Sequence, residues 1–555
     1  MSTKIAEKGQ IRFKEYNQDF EINIPILARE AIKENALVQI IDEIVEGIEL
    51  EDLELYYSKN GSPGYHPKML IKVWTYGYCQ KVYTSRPLAE KLRSDLGFIW
   101  LSGNQCPSFK TLSDFRSVRM QGMVDIVFRT VLLYLVEHGY VDLEDLYIDG
   151  SKWEANANQY KRVWRKNTER YKGNVLDRIA GILEEYADLQ KAEDEAYGSR
   201  DLPRHQSESE IAVVLKSSDL AAAISKMGTQ IESTSNKERQ KKLCKLQKSL
   251  AKEVPKLATY EEQEEILGNR NSYSKTDESA TMMRMKDERL LPGYNVELTS
   301  SNQFAIAGSI HQNASDSVTL PPHWEVVKEN VMELVEWDWS PDVTLDAGYG
   351  SEENYDLWER EKVRGFMKYS LWYKEKTGEL AKRPYYYGNW RYDEQEDIYW
   401  CPNERKLIFR ETQIRTTQNG YERNLRVYEC ETCQDCPLFK DCRGEKATPL
   451  SNRTISISPN LEAHKAKVKL LLDSEAGREK RAKRSVDVET PFGDIKYNRG
   501  HRRFILRGIE KVEVEFLLLL IAHNFRKIEC AETGKWREYY AQRAAKREQK
   551  AKKRA

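Results

Sequence analysis

The hydrophobic pattern of the first 138 residues predicts helices. Apolar side chains recur at helical spacing in the segment PKMLIKVWTYGYCQ, at Met69, Leu70, Val73, Trp74 and Tyr76. Residues 109–138 carry a second amphipathic pattern, and Gly139 suits the position after a helix end. Apolar residues have this spacing both in helices that only pack in a core and in helices of a DNA-binding domain. The pattern therefore fits a helical scaffold as well as a helical DNA-binding region.

Two strand-like runs each finish on an aspartate. The runs are LYIDGS at 146–151 and VTLDAGYGS at 343–351, where Asp149 and Asp346 follow apolar residues and precede small ones. Ligands bind at strand ends in an open α/β sheet, so the two carboxylates would lie side by side if their strands are neighbours. An aspartate before glycine is also a common turn former, and for either residue alone that explanation is equally good.

The pattern that follows predicts a mixed sheet with helices packed on it. Residues 292–311 indicate a β-hairpin around the polar turn SSNQ, and RGFMKYS at 364–370 indicates a further strand. Helical spacing appears in SEENYDLWERE, after the second aspartate, and returns from 460 to 530. This order favours an α/β fold over a barrel or an all-helical fold.

A long helical segment interrupts this pattern between 174 and 266. One set of apolar residues at helical spacing comprises Val175, Leu176, Ile179, Ile182, Leu183, Tyr186 and Leu189. After polar sequence, a second set comprises Leu243, Leu246, Leu250, Val254 and Leu257. The spacing predicts a helical hairpin, similar to a coiled coil, that is inserted into another domain.

Charge and hydropathy argue against a membrane protein and give no global argument for nucleic acid. The formal net charge is zero, and the apolar run FLLLLIA at 516–522 is far too short to span a bilayer. The first residues lack the apolar core of a secretory signal, so we expect a cytoplasmic protein. Basic residues are concentrated locally, in REKRAKR (478–484), RGHRRF (499–504) and RAAKREQKAKKRA (543–555).

Cysteines are concentrated in one segment. Five of the nine lie between 401 and 442, where two, two and five residues separate Cys430, Cys433, Cys436 and Cys442, and Cys401 lies upstream. Tetrahedral Zn²⁺ takes four thiolates, and in a cytoplasmic protein this spacing favours a metal site over disulfides. Reduced cysteines without a metal are the alternative.

A third acidic residue, Glu489, lies in the segment RSVDVETPFGDIKYNRGHRRF at 484–504. Glu489 and Lys496 are seven residues apart, or two helical turns, so we expect them to share a helix face. Spacing alone favours an ordinary amphipathic surface helix. Glu513 and Glu515 are rival acidic residues, but both precede an apolar run and fit a packing role at a helix start.

Several segments together resemble the DDE transposases of bacterial insertion sequences. The N-terminal helical domain of that family is similar to YHPKMLIKVWTYGYCQKVYTSRPLAEKL and FIWLSGNQCPSFKTLSDFR. IDGSKWEANANQYKRVW resembles the first Asp motif, GYNVELTSSNQFAI the hairpin after it, and LDAGYGSEENYDLW the second Asp motif. The C-terminal motif, with a Glu seven residues before a Lys, resembles VETPFGDIKYNRGHRRFILRGIEKVEVEFLLLLIAHNFRK. The resemblance covers most of the chain except the helical insertion and the tail.

This resemblance implies a ribonuclease-H-like catalytic core whose acidic triad holds two Mg²⁺ ions, with Mn²⁺ as an alternative. Carried over residue by residue, the triad falls on Asp149, Asp346 and Glu489. The resemblance also implies a structural Zn²⁺ ion on Cys401, Cys433, Cys436 and Cys442, with Cys430 as the alternative for one of them.

The DNA-binding residues that the resemblance implies are Lys496 and Arg484, to which the basic segment at 499–504 adds Arg502 and Arg503. Related transposases have three residues between this Arg and the Glu, whereas this chain has four. The Tyr that precedes the Arg in those relatives is also missing here, since residues 478–483 read REKRAK. These departures weaken the assignment of Arg484.

The implied function is DNA transposition, with strand cleavage at the terminal inverted repeats of the element and strand transfer to target DNA. A homodimer would hold the two paired ends, and the protein would associate with the nucleoid when bound to DNA. The alternatives are a nuclease of the same fold that does not join strands, a domesticated sequence-specific DNA-binding protein, and a non-enzymatic adaptor protein that is stabilised by zinc and binds partners through its helical hairpin.

The predicted organisation has five kinds of unit. An N-terminal helical, DNA-binding domain covers 1–138, and the catalytic core comprises 139–173, 271–370 and 456–530. Between these core segments lie the helical insertion (174–270) and a Cys-rich, zinc-binding insertion (371–455). A basic tail occupies 531–555.

Overall fold

The computed structural model describes residue 30 and residues 32–57, 64–197, 216–444, 448 and 451–533. Most of the predicted basic tail therefore lies outside the described residues. Within them the chain forms a mixed sheet with flanking helices, which confirms the predicted fold class. Across the same ranges, no helix combines the length and the apolar character needed to cross a bilayer.

Helices form the described part of the chain before the sheet. They are α1 (Ala36–Glu46), α2 (Leu50–Glu54), α3 (Pro67–Cys79), α4 (Ser85–Ser94), α5 (Leu96–Leu101), α6 (Phe109–Asp114) and α7 (Met120–Glu137), with a π-helical turn (Phe115–Arg119) before α7. The helical patterns that start at 67 and 109 correspond to α3 and to α6–α7. Nearly all of α3 is buried, and its Lys72 is tolerated there because it ion-pairs with Asp42 and Glu46.

The main sheet is built from six strands in the order β4–β5–β1–β7–β8, with β6 also paired to β5. Its strands are β1 (Asp145–Glu154), β4 (Thr281–Arg284), β5 (Leu290–Ser301), β6 (Phe304–His311), β7 (Asp342–Leu345) and β8 (Arg364–Met367), while β2 (Arg162–Trp164) and β3 (Ser272–Ser274) form a separate pair. β1, β7 and β8 are parallel, and β5 runs antiparallel to β1. The β5–β6 hairpin is the one predicted at 292–311. Its turn residues, Asn302 and Gln303, both have positive φ, as a type I′ hairpin turn requires.

The helical insertion is a bundle of three helices rather than the predicted hairpin. α8 (Arg165–Tyr197), α9 (Ser217–Ser233) and α10 (Lys237–Leu267) share a small core of their own. The additional helix, α9, lies after the polar segment at 197–210, and its Leu220 and Met227 recur at helical spacing and are buried in the core of the bundle. We call these three helices the insertion arm.

The Cys-rich insertion is an antiparallel sheet in the order β13–β12–β11–β10–β9. Before it in the chain, α11 (Asp316–Val331) connects β6 to β7, α12 (Glu352–Arg360) connects β7 to β8, and α13 (Trp372–Lys376) follows β8. The five strands and their short helix are β9 (Arg391–Asp393), β10 (Ile398–Trp400), β11 (Lys406–Thr416), β12 (Glu422–Cys430), α14 (Phe439–Arg443) and β13 (Thr454–Ile457). α15 (Pro459–Asp473), α16 (Glu475–Gly493), a π-helical turn (Asp494–Asn498) and α17 (Ile509–Glu532) return the chain to the main sheet.

Helices cover both faces of the main sheet. Adjacent residues of β6 show this, because side chains alternate across a strand. Ser309 hydrogen-bonds His323 of α11 at 2.7 Å, whereas Gly308 faces α17, where an added Cβ would lie 2.3 Å from Leu520. α17 also contacts α3 and α7. The N-terminal helices and the sheet therefore share one continuous hydrophobic core.

Candidate active site

Asp149 and Asp346 face each other across two neighbouring parallel strands. β1 and β7 pair in the register Tyr147↔Thr344, and two residues further this register brings Asp149 opposite Asp346. Neighbouring strands are about 4.8 Å apart. Arg484 on α16 lies within ion-pair distance of both carboxylates, 2.7 Å from Asp149 and 3.9 Å from Asp346.

Asp149 does not end its strand, contrary to the interpretation of the sequence. β1 continues to Glu154 because β5 pairs with it as far as Gly293. β7, in contrast, stops at Leu345, directly before Asp346. At Asp149, β1 no longer pairs with β7 but still pairs with β5 on its other side. Its backbone is therefore fixed more firmly than that of a loop residue.

Helix α16 places two cations across the β1–β7 pair. Lys480 ion-pairs with Asp145 and Asp342, which are in register at the start of the ladder. Arg484, one helical turn later, spans Asp149 and Asp346 in the same way. α16 is thus aligned with the strand pair by matched charges at two levels.

The two carboxylate pairs differ in how much positive charge they receive. Burial acts to raise the pKa of Asp342, but Arg364 and Lys480 outweigh it, and that pKa is lowered. Burial raises the pKa of Asp149 to about 6, although Arg484 opposes the shift; Asp346 and Asp316 reinforce it. Among the described residues, Arg484 alone lies at ion-pair distance from the pair at Asp149, and a bound cation would stabilise the two neighbouring carboxylates further.

Two further acidic residues, Glu297 and Asp316, lie next to this pair. A Cβ added at Gly150 would lie 3.0 Å from a carboxylate oxygen of each. Glu297 is fully buried, accepts hydrogen bonds from Thr319 and from the Tyr349 hydroxyl, and has its pKa raised by burial. Sequence reasoning missed both residues. The available signal for Glu297 was a single acid within the buried strand run YNVELTSS.

Glu489 is not part of this cluster in the structure. It lies on α16, is exposed, and makes no hydrogen bond or ion pair with any described residue. Its oxygen atoms and those of Asp149 and Asp346 are not all within 4.8 Å of one another. The structure brings two of the three predicted carboxylates together and leaves the third on the outer side of the same helix as Arg484.

Glu489 and Lys496 do not share a face, contrary to the expectation from their spacing. The π-helical turn at Asp494–Asn498 changes the rotation of the chain between them. Lys496 points inward, donates to Ser151 Oγ at 2.6 Å and lies 4.2 Å from the centroid of the Trp153 ring. Burial lowers the pKa of Lys496 to about 7.

Arg502 and Arg503 lie on an exposed loop after this turn. Arg503 donates to the carbonyls of Ala155 and Ala157, beyond the end of β1. Glu515, one of the two rival acids, is fully buried and accepts from the backbone N–H groups of Ile505 and Leu506. It therefore shapes the basic loop, in keeping with the packing role expected of it.

The five clustered cysteines line one small cavity of the Cys-rich insertion, at Cys401, Cys430, Cys433, Cys436 and Cys442. The backbone N–H of Arg453 donates to Cys433 Sγ at 3.2 Å. Burial raises the pKa of Cys430 to about 12, and the neighbouring thiols act in the same direction. All five predicted ligands thus surround one space, and the alternative between Cys430 and the others stays open.

A separate group of potential ligands, Asp356, Glu359 and His464, joins α12 to α15. Their ligand atoms lie within 4.8 Å of one another. Each already has protein partners: His464 Nε2 is 2.6 Å from Asp356, which also accepts from Tyr421 and Asn460, and Lys467 contacts Glu359. The donor types suit a divalent ion, but the existing contacts also account for the group as a junction between α12, α15 and the β11–β12 loop.

These features define a class of protein: a ribonuclease-H-like α/β fold with paired acids on its central strands, as in enzymes that transfer nucleotidyl groups. Two family models match the chain. Residues 400–529 match the family described as "Transposase DDE domain", and residues 27–118 match "Transposase domain (DUF772)". The matches support the assignment of the chain to the DDE transposases of insertion sequences, which bind DNA and generally use divalent metal. No curated protein matches the chain.

The two matched ranges contain only some of the predicted site residues. The DDE match contains the five clustered cysteines, Arg484, Glu489 and Lys496. Asp149 and Asp346 lie outside both matched ranges, so their pairing rests on the strand register alone.

Proposed function

We propose that this transposase cuts DNA at the terminal inverted repeats of its own element and joins the cut ends to target DNA, by metal-dependent phosphoryl transfer. The observation that carries the proposal is the in-register pair Asp149–Asp346, whose negative charge only Arg484 offsets at ion-pair distance among the described residues. Their oxygen donors fit Mg²⁺ or Mn²⁺. When bound, such ions would stabilise charge on the attacking and leaving oxygens.

In the active enzyme, Arg484 would have to leave the space between Asp149 and Asp346, and Glu489 would have to enter it. Arg484 occupies the space between the two aspartates, and Glu489 lies on the outer side of the same helix. A rotation of α16 that withdraws Arg484 would also move Glu489, which we assign as the third ligand. Arg484, Arg502 and Arg503 would then contact phosphates, and Lys496, protonated near Asp149, would do so close to the cleaved bond.

The substitution Asp346→Asn tests this proposal. Lewis-acid stabilisation is worth several kcal/mol, so we expect strand cleavage of a labelled repeat end in Mg²⁺ to fall by about 10³-fold, with DNA binding retained. Asp338→Asn, an exposed residue before β7, is the matched control and should cut normally. Full cutting by Asp346→Asn would end the assignment.

Joining is tested separately, with a precut end and a target plasmid. Transfer of the precut strand supports a transposase, whereas cutting without transfer favours the nuclease alternative.

A homodimer on paired ends predicts that the protein binds two end duplexes per two chains in light scattering, and a complex of one chain with one end would contradict it. We further propose that the cysteine cavity holds a structural Zn²⁺ ion.

A further inference from the structure

Helix α10 of the insertion arm carries a stripe of exposed lysines, Lys237, Lys241, Lys245, Lys248 and Lys252. At 3.6 residues per turn, these five side chains lie within an arc of about 80° and extend over about 22 Å. The opposite face of α10 supplies Leu243, Leu246, Leu250 and Leu257 to the core of the arm. The lysines therefore point away from the bundle.

The stripe has no acidic partners within the described part of the chain. None of its five lysines makes a hydrogen bond or an ion pair there. Nearer the base of the arm the pattern is different, since Lys172 pairs with Glu264 and Arg178 with Glu253. Between 237 and 256 the sequence has eight basic residues and two glutamates, in a chain whose net charge is zero. Like charges four residues apart slightly disfavour a helix, and an anionic partner on this face would relieve that repulsion.

The basic loop of the core continues toward this arm. Arg503 and Arg507 donate to the carbonyls of Ala155 and Asn156, a few residues before β2 and the start of α8. Measured along α10 from Leu267, Lys252 is about 22 Å from the base of the arm and Lys237 about 45 Å. A duplex that lies on the basic loop and follows the arm would meet the stripe roughly 7 to 13 base pairs further on, at about 3.4 Å per pair.

We propose that the lysine stripe of α10 binds the phosphate backbone of duplex DNA beyond the cleaved end. This inference rests on the proposed function. One lysine per roughly 5.6 Å corresponds to about one for every two phosphates of a strand. Lysine ammonium groups are point charges that hold phosphates without reading bases, so the contact adds affinity and fixes the path of the DNA but gives no sequence preference.

The test compares the full-length protein with a variant that carries Lys241→Glu, Lys245→Glu, Lys248→Glu and Lys252→Glu. Binding is measured on a long end duplex and on one truncated to end near the cleavage site, over a range of salt concentrations. We expect at least a tenfold loss on the long duplex, little change on the short one, and a salt slope smaller by about 3.6. The matched control replaces the same four lysines with arginine and should bind like the native protein.

A neutral variant with four Lys→Gln changes is a control for misfolding of the Glu variant. Circular dichroism should report an unchanged helix content for all variants. Equal affinity and equal salt slope for native protein and the folded Glu variant on the long duplex would overturn the inference, and would leave an acidic protein partner or a solvated face as the explanation. Absence of DNA binding and cutting by the native protein would instead overturn the proposed function.

Discussion

At the scale of single residues, the most informative contrast is between the two carboxylate pairs of β1 and β7. Lys480 and Arg364 neutralise the pair that contains Asp342, whereas Arg484 alone spans Asp149 and Asp346. Arg484 therefore offsets part of the negative charge of both carboxylates. If the pair binds a metal ion as proposed above, the guanidinium group and the ion would compete for the same oxygen atoms.

We expect Arg484→Gln to strengthen Mn²⁺ binding to the DNA-free protein by about tenfold, because removal of one neighbouring charge at a partly buried site is worth on the order of 1 kcal/mol or more. Isothermal titration calorimetry measures this directly. Arg481→Gln, on the same helix but bonded to the carbonyls of Gly477 and Leu472, is the control and should leave the affinity unchanged. Unaltered affinity in Arg484→Gln would contradict this competition between Arg484 and the metal ion.

The raised pKa of Asp149 predicts a pH dependence. With a folded-state pKa of about 6, against about 3.9 in the unfolded chain, the folded protein binds the extra proton between these values. This group's contribution to stability therefore falls as pH rises from about 4 through about 6. Since only the carboxylate binds metal, Mn²⁺ affinity should weaken up to tenfold per pH unit below about 6. Asp149→Asn removes both the titrating group and a proposed metal ligand, so it should bind Mn²⁺ weakly at every pH. A flat profile from pH 5 to 7.5 in the native protein would contradict the prediction.

At the scale of elements, the sequence predicts β1, the β5–β6 hairpin, β7 and β8, but not the third helix of the insertion arm, the five strands of the Cys-rich insertion or how α16 ends. Pro491 has no N–H for the Asp487 carbonyl, which accepts instead from Ser300 Oγ of β5 at 3.1 Å. The π-helical turn follows three residues later. This irregularity separates Glu489 from Lys496, and ideal helical spacing cannot foresee it. Asp149 and Asp346 were predictable because strand register and local sequence agree there. Asp316 and Glu297 reach them only through the tertiary fold.

The Cys-rich insertion gives a prediction at the same scale. If Zn²⁺ joins the loops around the cavity, the purified protein should contain about one zinc per chain, and chelation should lower its thermal stability. Cys433→Ser should lose the metal and the stabilisation together. Cys106→Ser, at an exposed thiol in the N-terminal helices, should keep both. Metal-free native protein with the same melting temperature as zinc-supplemented protein would contradict the site.

At the scale of the whole molecule, the described chain has one large core and smaller separate ones in the insertion arm, at its base and in the Cys-rich insertion. The large core runs from α1 through the main sheet to α17, so the N-terminal helices and the strands that carry Asp149 and Asp346 pack in one core. The arm joins the rest at Arg165 and Leu267 and buries its own leucines. An element of this kind can open without disturbing the acidic pair.

Because the core of the insertion arm and the large core are separate, we expect a mutation in either one to destabilise only the elements that share that core. Leu250→Ala, in the arm, should cost about 2–5 kcal/mol locally and accelerate hydrogen exchange over 165–267 while the main-sheet strands keep their protection. Leu518→Ala, in the buried middle of α17, removes the same side chain from the large core and should accelerate exchange in the N-terminal helices and the main sheet together. Hydrogen-exchange mass spectrometry resolves both patterns. Equal loss of protection everywhere in the two variants would mean that the arm and the core unfold as one unit, and the lysine stripe would then be tied to the stability of the active site.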